Sequence, residues 1–148
     1  MKRLILTLLV LLFSCKKEDT NPNVFKFSIS KGVPVILTTI NGKGGKFLID
    51  TGAQQSFLDS RYASFYNFVT YKSDLDSGGT GVGGNIVIME VRGFEVKYND
   101  SIITHRFRAA NLGKLFDKTG IVGILGSDYF KKNKIIIDYG NNEIRKKK

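Results

Sequence analysis

The feature that most constrains this chain is a short apolar run that ends at a carboxylate. Residues 47–49 (Phe-Leu-Ile) lead directly into Asp50, which is followed by Thr51, Gly52 and Ala53. The aromatic and β-branched content of the run predicts a buried strand. A carboxylate at the end of such a strand is costly unless it is hydrogen-bonded or paired. Gly52 permits a sharp turn and the close approach of another backbone or of a substrate.

Taken alone, the triplet Asp-Thr-Gly admits two interpretations. One is a strand that ends in an Asx-type turn, in which the Asp50 side chain accepts a hydrogen bond from the backbone two residues further on. The other is an active-site carboxylate, which the triplet suggests only as a hypothesis in need of context. The context here is a second short apolar segment, because residues 54–58 (Gln-Gln-Ser-Phe-Leu) end in Phe-Leu.

With this context, residues 47–58 resemble the active-site strand and loop of aspartic peptidases of the pepsin and retropepsin clan. Residues 121–130 (Ile-Val-Gly-Ile-Leu-Gly-Ser-Asp-Tyr-Phe) resemble the strand and short helix that lie beside the catalytic loop in that clan. Residues 134–144 are similar to its closing hairpin. The resemblance covers residues 24–148 and implies an all-β fold, a single-lobe retropepsin-like acid protease barrel with one or two short helices.

Length and composition agree with one β-rich domain. The chain has 148 residues, enough for a single domain with a substantial core. Glycine is abundant (16 residues) and proline scarce (2), while Ile, Val, Phe, Tyr and Thr fill the apolar runs, a combination that favours strands joined by turns.

Several local patterns place further elements along the chain. Asn41-Gly42 is a strong hairpin signal. Residues 59–66 predict one or two helical turns, and His105 is expected to be a surface residue on a strand. The strands predicted from alternation and apolar runs are residues 24–30, 33–40, 46–50, 56–58, 86–96 and 101–109.

A glycine-rich segment follows the Asp-Thr-Gly loop. Its six residues are Gly79, Thr80, Gly81, Val82, Gly83 and Gly84. They match G-x-G-x-x-G, but the residues before them are polar and those after them are strand-like, so the dinucleotide-binding interpretation is rejected. A flexible loop and a mobile hairpin both remain open. In retropepsins a glycine-rich hairpin at this distance is the flap that closes over substrate, and the resemblance favours that role.

Other chemistries find little support in the sequence. With one histidine and one cysteine, the chain has no set of His and Cys ligands for zinc, and its acidic residues lack calcium-loop spacing. No nucleophile motif surrounds a serine. The formal net charge is +10, but no basic stripe interleaved with aromatic residues indicates nucleic-acid binding. We therefore predict no metal, no cofactor and no nucleic-acid partner.

The sequence of the first 23 residues predicts a targeting segment rather than part of the folded domain. Lys2-Arg3 precede an apolar run, residues 4–13, which is too short for a bilayer span of about 20 residues. Residues 1–14 are therefore predicted to be a cleavable signal peptide. Cys15, the single cysteine, ends a segment that resembles a bacterial lipoprotein processing site, although a free or buried thiol is the alternative.

A lipid on Cys15 would anchor the protein through the polar tether formed by residues 15–23. No aspartate follows Cys15 directly, so retention in the inner membrane is not signalled. The expected location is therefore the bacterial cell envelope, at the outer membrane or periplasmic face rather than the inner membrane.

The chemistry implied by the resemblance requires two carboxylates that share one proton. The chain contains one Asp-Thr-Gly, so the prediction is a C2 homodimer in which the catalytic Asp50 meets the partner's Asp50. In the resembling family, Thr51 hydrogen-bonds across the dimer, Gly52 lines the floor under the substrate, and Ala53 continues the loop. The substrate would be an extended peptide bound by strand addition.

Two rival hypotheses remain open. The chain could be a non-catalytic β-rich envelope lipoprotein that acts as a binding module, with a structural Asp50. It could also be a monomer that takes its second aspartate from a different protein.

Overall fold

The computed structural model describes residues 24–72, 79–81, 84–98, 101–113 and 116–147. The predicted signal peptide, Cys15 and the tether up to residue 23 lie outside the described residues, as do Val82 and Gly83 of the glycine-rich segment.

The described chain is built of short strands and two short α-helices. The helices are α1 (Ala63–Tyr66), preceded by a 3₁₀ helix at Ser60–Tyr62, and α2 (Ser127–Lys132). The strands are β1 (Val24–Lys26), β2 (Ser28–Ser30), β3 (Val33–Ile40), β4 (Lys43–Ile49), β5 (Phe57–Asp59), β6 (Val69–Tyr71), β7 (Gly79–Gly81), β8 (Gly84–Ile86), β9 (Met89–Arg92), β10 (Val96–Tyr98), β11 (Ser101–Ile102), β12 (Arg108–Ala110), β13 (Ile121–Leu125), β14 (Ile135–Asp138) and β15 (Glu143–Lys146). The predicted all-β fold with two short helices is confirmed.

The strands form three sheets. A ten-stranded sheet has the order β11-β10-β3-β4-β13-β5-β12-β9-β6, with β2 paired to β3 beside this path. A three-stranded sheet, β1-β15-β14, joins the start and the end of the described chain, and β7-β8 form a separate ribbon. Within the large sheet, β13 lies between β4 and β5, parallel to β4 and antiparallel to β5. This arrangement brings the chain segments on both sides of Asp50 against one strand.

The core explains why a glycine interrupts β13. Phe47 on β4 is fully buried, and its ring packs edge-on against Phe107 at a centroid distance of 5.6 Å. A Cβ at Gly123 would lie 2.7 Å from two ring atoms of Phe47, closer than packed carbon atoms approach. Gly123 therefore makes room for the aromatic residue that begins the apolar run before Asp50.

Most of the predicted local structure is confirmed. β3 has the predicted bounds, and the Asn41-Gly42 turn is formed by two residues with φ of +48° and +78°. β4 begins at Lys43, earlier than predicted, because its two glycines pair with β3 across the turn. The helical turns after residue 59 and the closing hairpin β14–β15 are also present.

The predicted strands at residues 86–96 and 101–109 were wrong as continuous elements. Gly93, with φ of +71°, separates β9 from β10, and these two strands pair with different neighbours. The segment 24–30 is likewise divided, because β1 pairs with β15 and β2 with β3.

The prediction that His105 is a surface residue on a strand was also wrong. It lies between β11 and β12, and its side chain is only 4% exposed. Ile103 and Phe107 on either side are buried in the core. Because alternate residues of an extended segment point the same way, His105 shares their inward face.

Candidate active site

Asp50 follows the last residue of β4 and is held in a tight turn. Its backbone amide donates to the Leu125 carbonyl at 3.0 Å. Its Oδ1 accepts hydrogen bonds from the amides of Gly52 at 2.9 Å and Ala53 at 3.2 Å. The Asx-type turn is therefore present. These donors compensate a carboxylate at the end of a buried strand, and they fix the direction of its side chain.

The open side of this turn faces away from the core. Thr51 and Gly52 are exposed, while Asp50 and Ala53 are half-buried. Among the described residues, Oδ2 of Asp50 has no hydrogen-bond partner, since both hydrogen bonds to this carboxylate use Oδ1. A Cβ on Gly52 would lie 3.1 Å from Oδ1 and crowd the carboxylate. The arrangement leaves one carboxylate oxygen available for a further group.

The junction of β13 and α2 clamps the loop after Asp50. The Ser127 amide donates to the Ala53 carbonyl at 2.8 Å. A Cβ on Gly126 would lie 2.5 Å from the carbonyl carbon of Gln55 and 3.0 Å from the Ala53 oxygen. Only glycine permits this approach of two backbones. The expectation that the strand and helix of residues 121–130 lie beside the Asp50 loop is confirmed.

A cluster that the sequence analysis did not identify completes the clamp. Ser56, fully buried, donates from its hydroxyl to Oδ1 of Asp128 at 2.7 Å and from its amide to Oδ2 at 3.1 Å. His105 Nε2 lies 3.1 Å from the same Oδ2, and the Tyr129 amide donates to Oδ1 at 2.7 Å. The sequence signal for Asp128 was its place in the first turn of a helix, where carboxylates are favourable.

The charge of this cluster follows from its hydrogen bonds. Partial burial alone would raise the pKa of Asp128. The hydrogen bonds from Ser56, His105 and Tyr129 outweigh that effect and hold the pKa of Asp128 below its ordinary value. Burial also raises the pKa of the Tyr129 phenol to about 12, so this neighbour stays neutral. Asp128 is therefore ionised and accepts the hydrogen bonds from Ser56, His105 and Tyr129.

The described residues of the glycine-rich segment lie in two paired strands. β7 and β8 pair antiparallel, with Gly79 opposite Ile86 and Gly81 opposite Gly84. The ribbon is a sheet of its own rather than part of the large sheet. The hairpin alternative is confirmed over a plain loop for Gly79, Thr80, Gly81 and Gly84. Its role as a flap remains a prediction.

The described part of the chain contains no group of three or more His, Cys, Asp or Glu side chains arranged to hold a metal ion. In that same part, no helix has the length and apolar character to cross a membrane.

Comparison with known proteins agrees with this geometry. A family model described as aspartyl protease matches residues 36–129, a range that includes both the Asp50 turn and the β13–α2 junction. No curated protein matches the chain.

Solved structures resemble it as well. The retroviral protease-like domain of Ddi1 from Leishmania major is 23% identical, with a TM-score of 0.55 over 77% of this chain and 87% of that one. The EIAV protease, complexed with the inhibitor HBY-793, is 25% identical over 69% of this chain and 88% of that one, with a TM-score of 0.49. A retropepsin-like aspartic protease from Rickettsia conorii is 18% identical over 82% and 84%, with a TM-score of 0.47. The likeness to the Leishmania domain shows a shared fold.

Proposed function

The chain belongs to the aspartyl protease family, and from this premise we propose that it is an aspartic endopeptidase whose active site is completed by a second copy. The observation that carries the proposal is the Asp50 turn. One carboxylate oxygen is fixed by backbone amides and the other is open, beside exposed Thr51 and Gly52.

Two carboxylates are required by the chemistry. One takes a proton from a water molecule as that water attacks the peptide carbonyl carbon, and the other donates a proton to the carbonyl oxygen. The tetrahedral intermediate then loses its C–N bond as the nitrogen is protonated. Two carboxylates about 3 Å apart cannot both ionise, which keeps one proton shared between them.

The other described aspartates are committed elsewhere, which supports a homodimer. Each accepts hydrogen bonds or ion pairs from groups other than the Asp50 turn: Asp59 and Asp117 from Arg61, Asp128 from the Ser56 cluster, and Asp138 from Asn141 and Arg145. Within the described residues none of them shares a hydrogen bond with the Asp50 carboxylate. A C2 dimer would supply the second carboxylate as the partner's Asp50.

The substrate we propose is an extended peptide or protein segment. Such a segment would lie between the Asp50 turns and the β7–β8 hairpins, adding its backbone to exposed strand edges. Closure of a glycine-rich hairpin over it would exclude water and align the scissile bond. Residues 79–84 would therefore act as the flap, and Thr51 would brace the dimer.

We also propose that the domain is lipid-anchored in the bacterial envelope through Cys15. The support is the basic and apolar pattern of residues 1–14 and the polar tether that follows. The described chain begins at Val24, which pairs with Arg145 at an exposed end of the small sheet.

One observation favours the rival binding-module hypothesis. The hydrogen bonds accepted by Asp50 Oδ1 are ones that an asparagine oxygen could also accept, as expected of a purely structural Asx turn. The hypothesis predicts that Asp50→Asn is neutral or stabilising, because it removes a partly buried charge and keeps these hydrogen bonds.

The Asp50→Asn variant separates the two functions. Wild type and variant would be incubated with a mixed-sequence peptide library from about pH 3 to 8, the range over which shared carboxylates titrate, and their molar masses measured in parallel. We expect cleavage by a species of twice the monomer mass, and a loss of about 1,000-fold or more in the variant with its fold retained. Equal cleavage by both proteins, or none by a folded wild type, would contradict the proposal.

A further inference from the structure

Three segments of the chain meet at Ser56, the residue that ends the Asp50 loop. The loop reaches it from Asp50, α2 supplies the Asp128 carboxylate, and β12 supplies the Arg108 amide, which donates to the Ser56 carbonyl at 3.0 Å. His105, just before β12, contacts the same Asp128 carboxylate. The Ser56 hydroxyl also accepts from the Gly126 amide at 2.9 Å. Every polar group of Ser56 is therefore hydrogen-bonded: its amide and hydroxyl bond to the β13–α2 junction, and its carbonyl bonds to the start of β12.

The two ends of the loop are held in different ways. At its start, Asp50 is fixed by backbone groups, because its amide donates to the Leu125 carbonyl. At its end, the loop is also held by a side chain, since the Asp128 carboxylate receives both the amide and the hydroxyl of Ser56. Hydrogen bonds to an ionised acceptor are about twice as strong as those between neutral groups. The two bonds from Ser56 to the Asp128 carboxylate therefore hold the end of the loop firmly.

His105 completes the carboxylate's set of donors. Its side chain is 4% exposed and is packed edge-on against Phe107 and Tyr129, at centroid distances of 5.5 and 5.3 Å. Asp128 is the charged group that faces the imidazole. Since an ionised carboxylate can only accept, we assign the proton to Nε2, which leaves Nδ1 as a buried nitrogen with no partner among the described residues. The His105 imidazole is therefore held in one orientation by a hydrogen bond to Asp128 and by packing against two aromatic rings.

We propose that Asp128 and His105 are positioning residues for the Asp50 loop, and that they act through Ser56 to set the orientation of the Asp50 carboxylate. The inference rests on the proposed peptidase function and extends it to residues that do not touch the substrate. His105 orients Asp128, Asp128 fixes Ser56, and Ser56 fixes the path of residues 50–56. Small errors in that path would misdirect the Asp50 oxygens.

The test compares three variants with one control. Asp128→Asn keeps the shape but loses the charge, and His105→Phe keeps the ring packing but loses the donor. His105→Gln restores an N–H close to the Nε2 position. The control is Tyr66→Phe, which removes a partly buried hydrogen bond from the Tyr66 hydroxyl to the Gly44 carbonyl at 2.8 Å, away from the loop.

Two readouts separate positioning from general stability. Amide hydrogen exchange at Gly52 and Ala53, whose N–H groups bind Asp50, should be about tenfold faster in Asp128→Asn and His105→Phe than in wild type. In the same variants kcat should fall by about 10- to 100-fold with KM within about twofold. His105→Gln should recover most of both effects, and Tyr66→Phe should show neither.

The outcomes are decisive in each direction. Unchanged exchange at Gly52 and Ala53 in the folded Asp128→Asn variant would overturn the proposal, even if His105→Phe failed to fold. Equal effects in the Tyr66→Phe control would also overturn it, because the loop would then report only overall stability. If exchange is accelerated in Asp128→Asn and His105→Phe but the wild type cleaves no peptide, the positioning role of Asp128 and His105 is supported and the peptidase function is refuted.

Discussion

Gly126→Ala is the substitution that tests the geometry of the active-site loop most directly. The added Cβ would lie 2.5 Å from the carbonyl carbon of Gln55 and 3.0 Å from the Ala53 oxygen. Both obstacles are backbone atoms, so no flexible side chain can move aside. One of the two segments must shift by about half an ångström or more, and overpacking of this kind costs about 1–3 kcal/mol.

The shift should also affect activity, because the Ala53 carbonyl accepts the Ser127 amide and the Ala53 amide donates to Asp50. Displacement of a catalytic group by about 1 Å can cost about 100-fold in rate. We therefore expect Gly126→Ala to lower both the free energy of unfolding, measured by urea titration, and kcat, measured with a cleaved peptide.

Gly44→Ala is the matched control. No atom lies within 4 Å of a Cβ at Gly44, and its φ is not in the left-handed region. Alanine there should be neutral or stabilise the protein by about 0.5–1 kcal/mol, since it reduces the freedom of the unfolded chain. Wild-type stability and activity in Gly126→Ala would refute the proposed contact between β13–α2 and the loop.

Two further predictions concern charged groups. Because the folded-state pKa of Asp128 lies below its ordinary value, its contribution to stability is fully present above the unfolded pKa of about 4 and is lost as the pH falls through the folded pKa. Urea titrations at a series of acidic pH values should show a shallower loss of stability for Asp128→Asn than for wild type, and parallel curves would contradict this. Arg61→Ala should destabilise the protein by about 3–5 kcal/mol, because the Asp59 side chain it pairs with is 0% exposed. Lys26→Ala, at the exposed pair with Glu143, should cost less than about 1 kcal/mol, and equal losses in the two variants would refute the role of burial.

The local elements of the site could be predicted because short-range patterns decide them. The apolar run before Asp50 became β4, and the Asp-Thr-Gly triplet formed the Asx-type turn expected of it. The Asn41-Gly42 turn followed from residues that tolerate positive φ. The described glycines of the glycine-rich segment, Gly79, Gly81 and Gly84, lie in the paired strands β7 and β8.

The clamp around the loop could not be predicted from pattern alone. Ser56 and Asp128 are 72 residues apart, and neither position carries a signal that names the other as its partner. His105 was placed on the surface because polarity suggested it, although its alternation with Ile103 and Phe107 pointed inward. The His105 ring is buried because its hydrogen bond to Asp128 compensates the cost of removing it from water.

The sequence by itself therefore determined the carboxylate, its turn, the strand before it and the family to which the chain belongs. Only the tertiary structure decided which groups hold that turn in place. The physical reason is the range of the interactions: backbone dihedrals and side-chain alternation are set by neighbouring residues, whereas a buried hydrogen-bond cluster exists only once distant segments have packed together.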